Sequence, residues 1–376
     1  MCQLSCCFFI RKVIMRLIIL LFIYLTITNR IISQNLVPST SFEGYLEPYL
    51  IVDLSQPTSG QRPNFLYSYN KQNEVNINLA YLKVSYVDSN TRASLAFMAG
   101  TYANANMINE PGLLKNIMEA AVGIKLLRSK ELWMDVGVFP SHIGFESAVG
   151  KDCWNLTRSI AADNSPYFES GIKMTYTSQN QKWITKILLL NGWQRISRPP
   201  GSYTPALGHQ LTYQPSEDLV FNSSSFVGND YPSASRKMRY FHNFYSQLRI
   251  RNKMYLTSGI DIGAEQTAKR STSYHFWYAP VVIIKYIPKK KWAISLRGEL
   301  YSDKSQVIVK TLTPNGFHTT GLSTNIDWEI TDLALWRLEL RGFYSREPIF
   351  TSTNYHMNGA INTSISVRFN THTTQH

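Results

Sequence analysis

The chain has 376 residues, 44% hydrophobic and 17% charged, which is enough apolar material for a large folded body and excludes a disordered chain. Its formal charge of +13 raises nucleic acid and anionic lipid as partners. No zinc-finger spacing, basic helix or RNA-recognition signature accompanies the basic residues, which lie dispersed among acidic ones, so no nucleic acid is expected.

At the N-terminus, Arg11, Lys12 and Arg16 precede the apolar run Leu17–Leu25, too short for a comfortable membrane span. Residues 1–33 read as a signal peptide cleaved near Ser33–Gln34, with Met15 as an alternative start. Ile31 departs from the small-x-small cleavage pattern, so an uncleaved anchor is the competing reading. Cys2, Cys6 and Cys7 leave with the signal. Cys153 alone remains, and the mature fold stands without an internal disulfide. No lipobox cysteine ends the apolar run, and no helical span follows it, since Val281–Ile287 is short and carries Lys285.

Candidate strands then run Phe42–Asp53, Asn73–Val87, Thr91–Ala103, Ile117–Arg128, Glu131–Pro140, Tyr167–Thr177 and Lys182–Trp193. They continue with Met238–Arg251, Met254–Glu265, Ser273–Ile287, Lys291–Asp303, Thr319–Ile330, Leu333–Arg346 and Tyr355–Phe369. Within them apolar residues alternate with small, polar and charged ones. Arg337, Glu339 and Arg341 interleave with Trp336, Leu338 and Leu340, and Glu169, Gly171, Lys173 and Thr175 with Ser170, Ile172, Met174 and Tyr176. A period of two sends each set to its own face. Charges of both signs on one face and apolar residues on the other suit a wall between water and lipid.

The connections alternate too. Short turns such as Ser129–Lys130, Asn252–Lys253 and Thr331–Asp332 separate long segments, among them Leu54–Gln72, Ser141–Pro166 and the longest, Gln194–Lys237, whose Ser, Asn and Pro content suggests a solvated external loop. Transmembrane barrels keep short turns in the periplasm and long loops outside. The expected fold is therefore all-β: a transmembrane antiparallel β-barrel of about fourteen strands in the bacterial outer membrane, over residues 34–376. The alternation slips near Lys83, where a bulge or an exit from the membrane is expected. The final strand ends in aromatic Phe369, like the signal read by the outer-membrane assembly machinery, followed by a polar tail, Asn370–His376.

From Gln61 to Arg195 specific motifs appear: Arg62-Pro-Asn-Phe65, Asn73-Glu74 with Asn76 and Asn78, Gly100-Thr-Tyr102 and Glu110-Pro-Gly-Leu-Leu-Lys-Asn116. Further on come Gly137-Val-Phe-Pro-Ser-His-Ile-Gly-Phe-Glu-Ser147, Trp154 with Leu156-Thr-Arg-Ser159, Asn164-Ser-Pro-Tyr167 and Asn191-Gly-Trp-Gln194. In these residues the chain resembles the OmpL-like β-barrel porins of Gram-negative bacteria. The resemblance implies a barrel in the outer membrane and pore function, and supplies no solute.

A porin needs a water-filled lumen whose charges set selectivity. Alternation nominates as pore-lining Glu119, Lys125, Asp135, Glu169, Lys173, Arg239, Arg249, Asp261, Arg297, Glu299, Asp327, Glu329, Arg337, Glu339 and Arg341. These charges could equally pair and hydrate the wall without selecting anything. Segment Ser141–Pro166 is the candidate constriction loop, with Asp152, Arg158 and Asp163 as its charges and Phe145 and Trp154 as packing anchors. The expected function is passive diffusion of small hydrophilic solutes with no cofactor, no metal and no catalysis. Outer-membrane lipid is a partner, and trimers are common among porins, although no subunit interface is legible. The alternatives are a non-conducting barrel with an adhesive or structural role and, less favoured, a barrel hydrolase using Ser141, His142 and Asp163. Adjacency in sequence does not make a triad. His275, His318 and His356 are scattered and Cys153 lacks a ligand partner, against a metal site.

Overall fold

The computed structural model describes residues 38–57, 59–350 and 356–374; the signal-peptide reading lies outside them. Among the described residues, sixteen strands form one antiparallel sheet closed on itself. They are β1 (Ser39–Asp53), β2 (Val75–Val87), β3 (Thr91–Ala99), β4 (Ile117–Leu127), β5 (Glu131–Pro140), β6 (Phe168–Thr177), β7 (Trp183–Leu190) and β8 (Ala206–Ser216). The second half holds β9 (Leu219–Gly228), β10 (Arg239–Ile250), β11 (Met254–Gln266), β12 (Tyr274–Lys289), β13 (Trp292–Asp303), β14 (Phe317–Glu329), β15 (Ala334–Ser345) and β16 (Met357–Thr374). β1 pairs with both β2 and β16, which closes the ring. Closure leaves no sheet edge, so every strand finds hydrogen-bonding partners without water, as a bilayer requires.

The period-two pattern takes up its two faces. On β15, Arg337, Glu339 and Arg341 are buried inside, while Leu340 is exposed on the outer wall. Aromatic pairs stand near both rims. Trp183 stacks on Tyr213 at 4.1 Å and Trp292 on Trp328 at 5.8 Å toward the short-turn end, and Tyr240 meets Tyr274 at 6.0 Å toward the long-loop end. Such girdles suit the headgroup level.

Three expectations change. The count is sixteen rather than about fourteen, because Gln194–Lys237 is not one external loop: it contains β8 and β9. Their inner faces carry the small or neutral Gly208, Gln210, Asn222 and Ser224, and their outer faces are interrupted by His209, Ser223 and Ser225. The hydrophobic alternation is too sparse there to stand out from a polar loop. Second, the bulge lies at Asn78, not Lys83. Glu47 faces Leu79 and Pro48 faces Ile77, so Asn78 is the extra residue and Leu79, Tyr81 and Lys83 turn inward together. Third, the polar tail is strand: Asn370 to Thr374 pairs with Glu43 to Ser39. Phe369 covers Gly44, where any Cβ would lie 2.1 Å from its ring.

The extra hairpin yields a topology test. Residues 217 and 218 form its tip at the short-turn end. A cysteine at Glu217 is therefore expected to resist a bulky, membrane-impermeant maleimide on intact cells and to react once the outer membrane is permeabilised. Gly201→Cys, in a long loop, reacts in both. Labelling of Glu217→Cys on intact cells would restore the fourteen-strand count.

Candidate functional site

The long loop between β5 and β6, residues 141–167, folds into the lumen. At its root Ser224 of β9 donates to the His142 carbonyl at 2.8 Å, and the Gly144 N–H donates to Asn243 of β10 at 3.3 Å. Phe145 meets Tyr245 edge-on at 5.6 Å, and Trp154 meets Tyr255 at 6.0 Å. The loop then crosses to β1, where Gly150 presses so closely that a Cβ would sit 2.1 Å from the Glu47 carboxylate.

Beyond Gly150 the loop settles on β13–β15. Arg337 donates to the carbonyls of Gly150 (2.8 Å), Cys153 (2.7 Å) and Asn155 (3.1 Å), while Asp327 holds its other edge at 2.7 and 3.0 Å. Glu339 accepts the Thr157 N–H at 2.7 Å, and Arg297 donates to the Thr157 carbonyl at 2.6 Å and to Glu339 at 3.0 Å. Glu299 accepts the Ile160 N–H and an Arg341 N–H, each at 2.6 Å. The returning arm is tied to the loop after β1: Asp163 accepts the hydroxyl of Ser68 at 2.8 Å, and Asn164 donates to the Phe65 carbonyl at 3.0 Å.

This arrangement redistributes the pore-lining candidates. Arg297, Glu299, Asp327, Arg337, Glu339 and Arg341 face inward, yet they are buried beneath the loop rather than along open lumen, because loop backbone replaces the water that sequence alone assigned to them. Glu169 is buried against His142, and Asp261 against Asn243. Arg239 pairs with Glu265 at 2.7 Å and lies over the Trp193 ring. Lys125 pairs with Glu131 and Arg249 with Asp218 at the short-turn rim, where Glu329 is exposed. Of the constriction candidates, Arg158 is fully buried and donates to the carbonyls of Ser147, Leu156 and Ala148, so it braces the loop itself. Asp163 is buried against Ser68 and borders a cavity among the long loops, while Asp152 is the exposed one of the three, paired with Arg368 at 2.8 Å.

Glu119, Asp135 and Lys173 remain on open space. A cavity of about 440 Å³ lies between the loop and the β1–β4 wall, and another of about 420 Å³ runs along β2–β7. The two share Glu119 and Pro140. A third, about 380 Å³, opens among the long loops beside Tyr67, Trp193 and Arg239. Four cations facing the first two cavities are not among the sequence-based candidates: Lys83, Arg92, Lys186 and Arg368. The Asn78 bulge reverses the phase at Lys83, and Arg92 sits at the start of a strand. Lys186 lies in a segment apolar on both faces, where a lone charge on a membrane strand must turn inward. Lys83 pairs with Glu119 at 2.7 Å, and Arg92 grips both oxygens of Asp135 at 2.7 and 2.6 Å.

The family model described as "Putative beta-barrel porin-2, OmpL-like" matches residues 39–371. The chain belongs to this OmpL-like porin family. It is a porin of the bacterial outer membrane. No curated protein matches it. Among solved structures it is similar to the outer membrane channel DcaP of Acinetobacter baumannii, with TM-score 0.60 and 8% identity over 89% of this chain and 98% of that one. It is similar also to the trimer form of OmpT of Vibrio cholerae, with TM-score 0.57 and 9% identity over 89% and 100%. The anion-selective porin from Comamonas acidovorans gives 0.57 and 6% over the same shares. At these identities the likeness is one of fold.

The OmpL-like motifs coincide with the residues that seat the loop. Arg62-Pro-Asn-Phe65 delivers Phe65 into an aromatic cluster with Phe317 and Phe343, at 4.8 and 5.7 Å. Asn78 binds Glu47, Glu146 accepts from Ser159, and Gln194 accepts the Tyr167 N–H at 2.9 Å. His142 offers no free base: Nδ1 faces Glu169 at 3.0 Å and Nε2 faces the Ser225 carbonyl at 2.8 Å, two acceptors that favour the imidazolium. Among the described residues no cluster of metal-ligating side chains occurs.

Two loop groups titrate with the seating. Burial pushes the Asp163 carboxyl up to about 7, against the opposing pull of Ser68, Arg341 and Arg158. For His142 burial acts downward, but Glu169 and the Ser225 carbonyl outweigh it and leave the ring above its ordinary 6.5. Each group binds its proton more tightly when the loop is seated. Their contribution is complete below the ordinary values and is lost as pH rises, through about 7 for Asp163. Cys153, buried with its thiol pushed up, reports on the seating. Corrected for thiol ionisation, its alkylation in folded protein is expected to be slower at pH 5.5 than at pH 8, and Asp163→Asn should narrow the difference. Arg337→Met strands Asp327, a loss of about 3 kcal/mol or more for a broken buried pair, and should speed alkylation about a hundredfold. Unchanged rates in Arg337→Met would show that the clamp does not hold the loop.

Proposed function

We propose that this porin passes small hydrophilic solutes by passive diffusion along a narrow conduit on the β1–β7 side of the lumen, with selectivity set by the charges that face it. One observation carries the reading: the cavities on this side meet at Glu119 and Pro140, while the inserted loop is pinned to the opposite wall by Arg297, Arg337 and Glu339. Along the conduit acidic and basic groups are interleaved, with Arg368 and Asp152 beside Lys83 and Glu119, then Arg92, Asp135 and Lys173. Opposed charges across a narrow passage orient water and discriminate solutes by charge and dipole. Glu119, Asp135 and Lys173 are thus the pore-lining residues we retain, joined by Lys83, Arg92 and Lys186.

A closed barrel with an adhesive or structural role is the second reading. It draws on Tyr102 and Met107, buried in one apolar cluster with Tyr167 packed against it at the long-loop end of the first cavity.

Planar-bilayer recording separates the two. Folded wild-type protein should give discrete conductance steps. Thr175→Cys, inside the conduit, should lose conductance on treatment with a charged methanethiosulfonate. Ser323→Cys, beneath the loop beside Asn155, should not. Absence of steps from folded protein would favour the closed barrel, and block at position 323 alone would move the path to the other wall.

A further inference from the structure

The conduit wall carries a group of hydrogen-bond donors that the protein itself leaves unanswered. In register across four strands lie Arg92 of β3, Gly123 of β4, Asp135 of β5 and Lys173 of β6. Gly123 has no side chain to interpose: a Cβ there would sit 2.3 Å from Asp135 and 2.8 Å from the Arg92 stem. Arg92 therefore reaches over it and takes both Asp135 oxygens. Lys173 is left with a long approach to the same carboxylate, 3.8 Å, and lies over the Phe139 ring at 4.3 Å. One row toward the short-turn end, Lys186 of β7 stands opposite Thr175 of β6. Among the described residues the Lys186 ammonium has neither hydrogen bond nor ion pair, and the buried Thr175 hydroxyl has no partner. All of these groups line the cavity of about 420 Å³.

The local charge is unbalanced. Arg92, Lys173 and Lys186 face Asp135, whose oxygens Arg92 occupies, while Glu119, the other acid of the cavity, is held by Lys83. Two ammonium groups flanking an unpartnered hydroxyl, neither of them within hydrogen-bond distance of a carboxylate, are arranged to donate to an oxyanion. The volume falls in the range small-molecule sites occupy, roughly 300–1,000 Å³. We propose that Lys186, Lys173 and Thr175 form a binding subsite in the conduit for a small dianionic solute, presenting its carboxylate or phosphate oxygens to these donors. The proposal rests on the conduit reading and adds to it the class of solute: Arg92–Asp135 forms the fixed floor, and the two lysines and the hydroxyl are the exchangeable contacts.

Calorimetry on detergent-folded protein tests it, with succinate and inorganic phosphate as separate probes and neutral succinamide as control. Saturable heat with either anion and none with succinamide is expected. Lys186→Gln and Lys173→Gln should each weaken binding by about tenfold, the worth of one charge-assisted hydrogen bond, and Thr175→Val should weaken it less. Lys182→Gln removes the same charge from the exposed short turn outside the cavity and should leave affinity unchanged. Succinate binding alone assigns the site to carboxylates, and phosphate binding alone to phosphate. Equal affinity in Lys186→Gln and wild type, or no saturable heat from wild-type protein whose heat-modifiable mobility proves it folded, overturns the subsite. Conductance recorded on the same preparations keeps the two readings apart. Channels without anion binding reject the subsite alone, and binding without channels rejects the conduit.

Discussion

Arg297, Arg337 and Arg341 lose their water when residues 141–167 settle over β13–β15, and the remaining architecture follows from how that loss is made good. A buried guanidinium without partners is strongly destabilising. Here each one is answered twice, by a carboxylate of the same wall and by oxygens of the inserted loop. Fixed charge on the barrel thereby becomes a template for a segment with little regular structure of its own. The loop lies where its carbonyls can quench the arginines and its N–H groups can meet Glu299 and Glu339.

The lumen is consequently lopsided. One half is filled by the loop, by Phe65 and Tyr69 from the connection after β1, and by the aromatic cluster around Phe317 and Phe343. On the other half the acids are already answered from within the wall, each across one intervening strand, Glu119 by Lys83 and Asp135 by Arg92. Pairs satisfied within the wall need nothing from the loop, so nothing draws the loop to them. The OmpL-like motifs read as instructions for this asymmetry: most of their polar residues hold the loop or its neighbours, and few face the open side.

Sequence alone revealed the wall wherever the two faces differ strongly in polarity, as on β15, where Trp336, Leu338 and Leu340 alternate with three charges. It was silent on β8 and β9, whose lumenal side is Gly, Gln, Asn and Ser and whose outer side includes His209 and Ser225. Facing could be read for Arg337 and Glu339, but not their burial, because that depends on a loop 182 to 187 residues away in sequence finding them. Lys186 was hidden for the opposite reason. Its strand is apolar throughout, so alternation could not say which side it took. At Lys83 the alternation marks a slip, but not that the extra residue is Asn78, earlier on the same strand.

The clamps that seat the loop come from β13, β14 and β15, the last strands but one to be made. A barrel that has only its first twelve strands contains the loop and its contacts on β9–β11, but none of the arginine clamps, so at that stage the stretch from Gly150 to Ile160 lacks its partners on β13–β15. Full seating of the loop therefore requires the carboxy-terminal hairpins, the same strands that complete the ring. Contacts that span so much chain form slowly, so the final seating of the loop is coupled to completion of the wall that holds it.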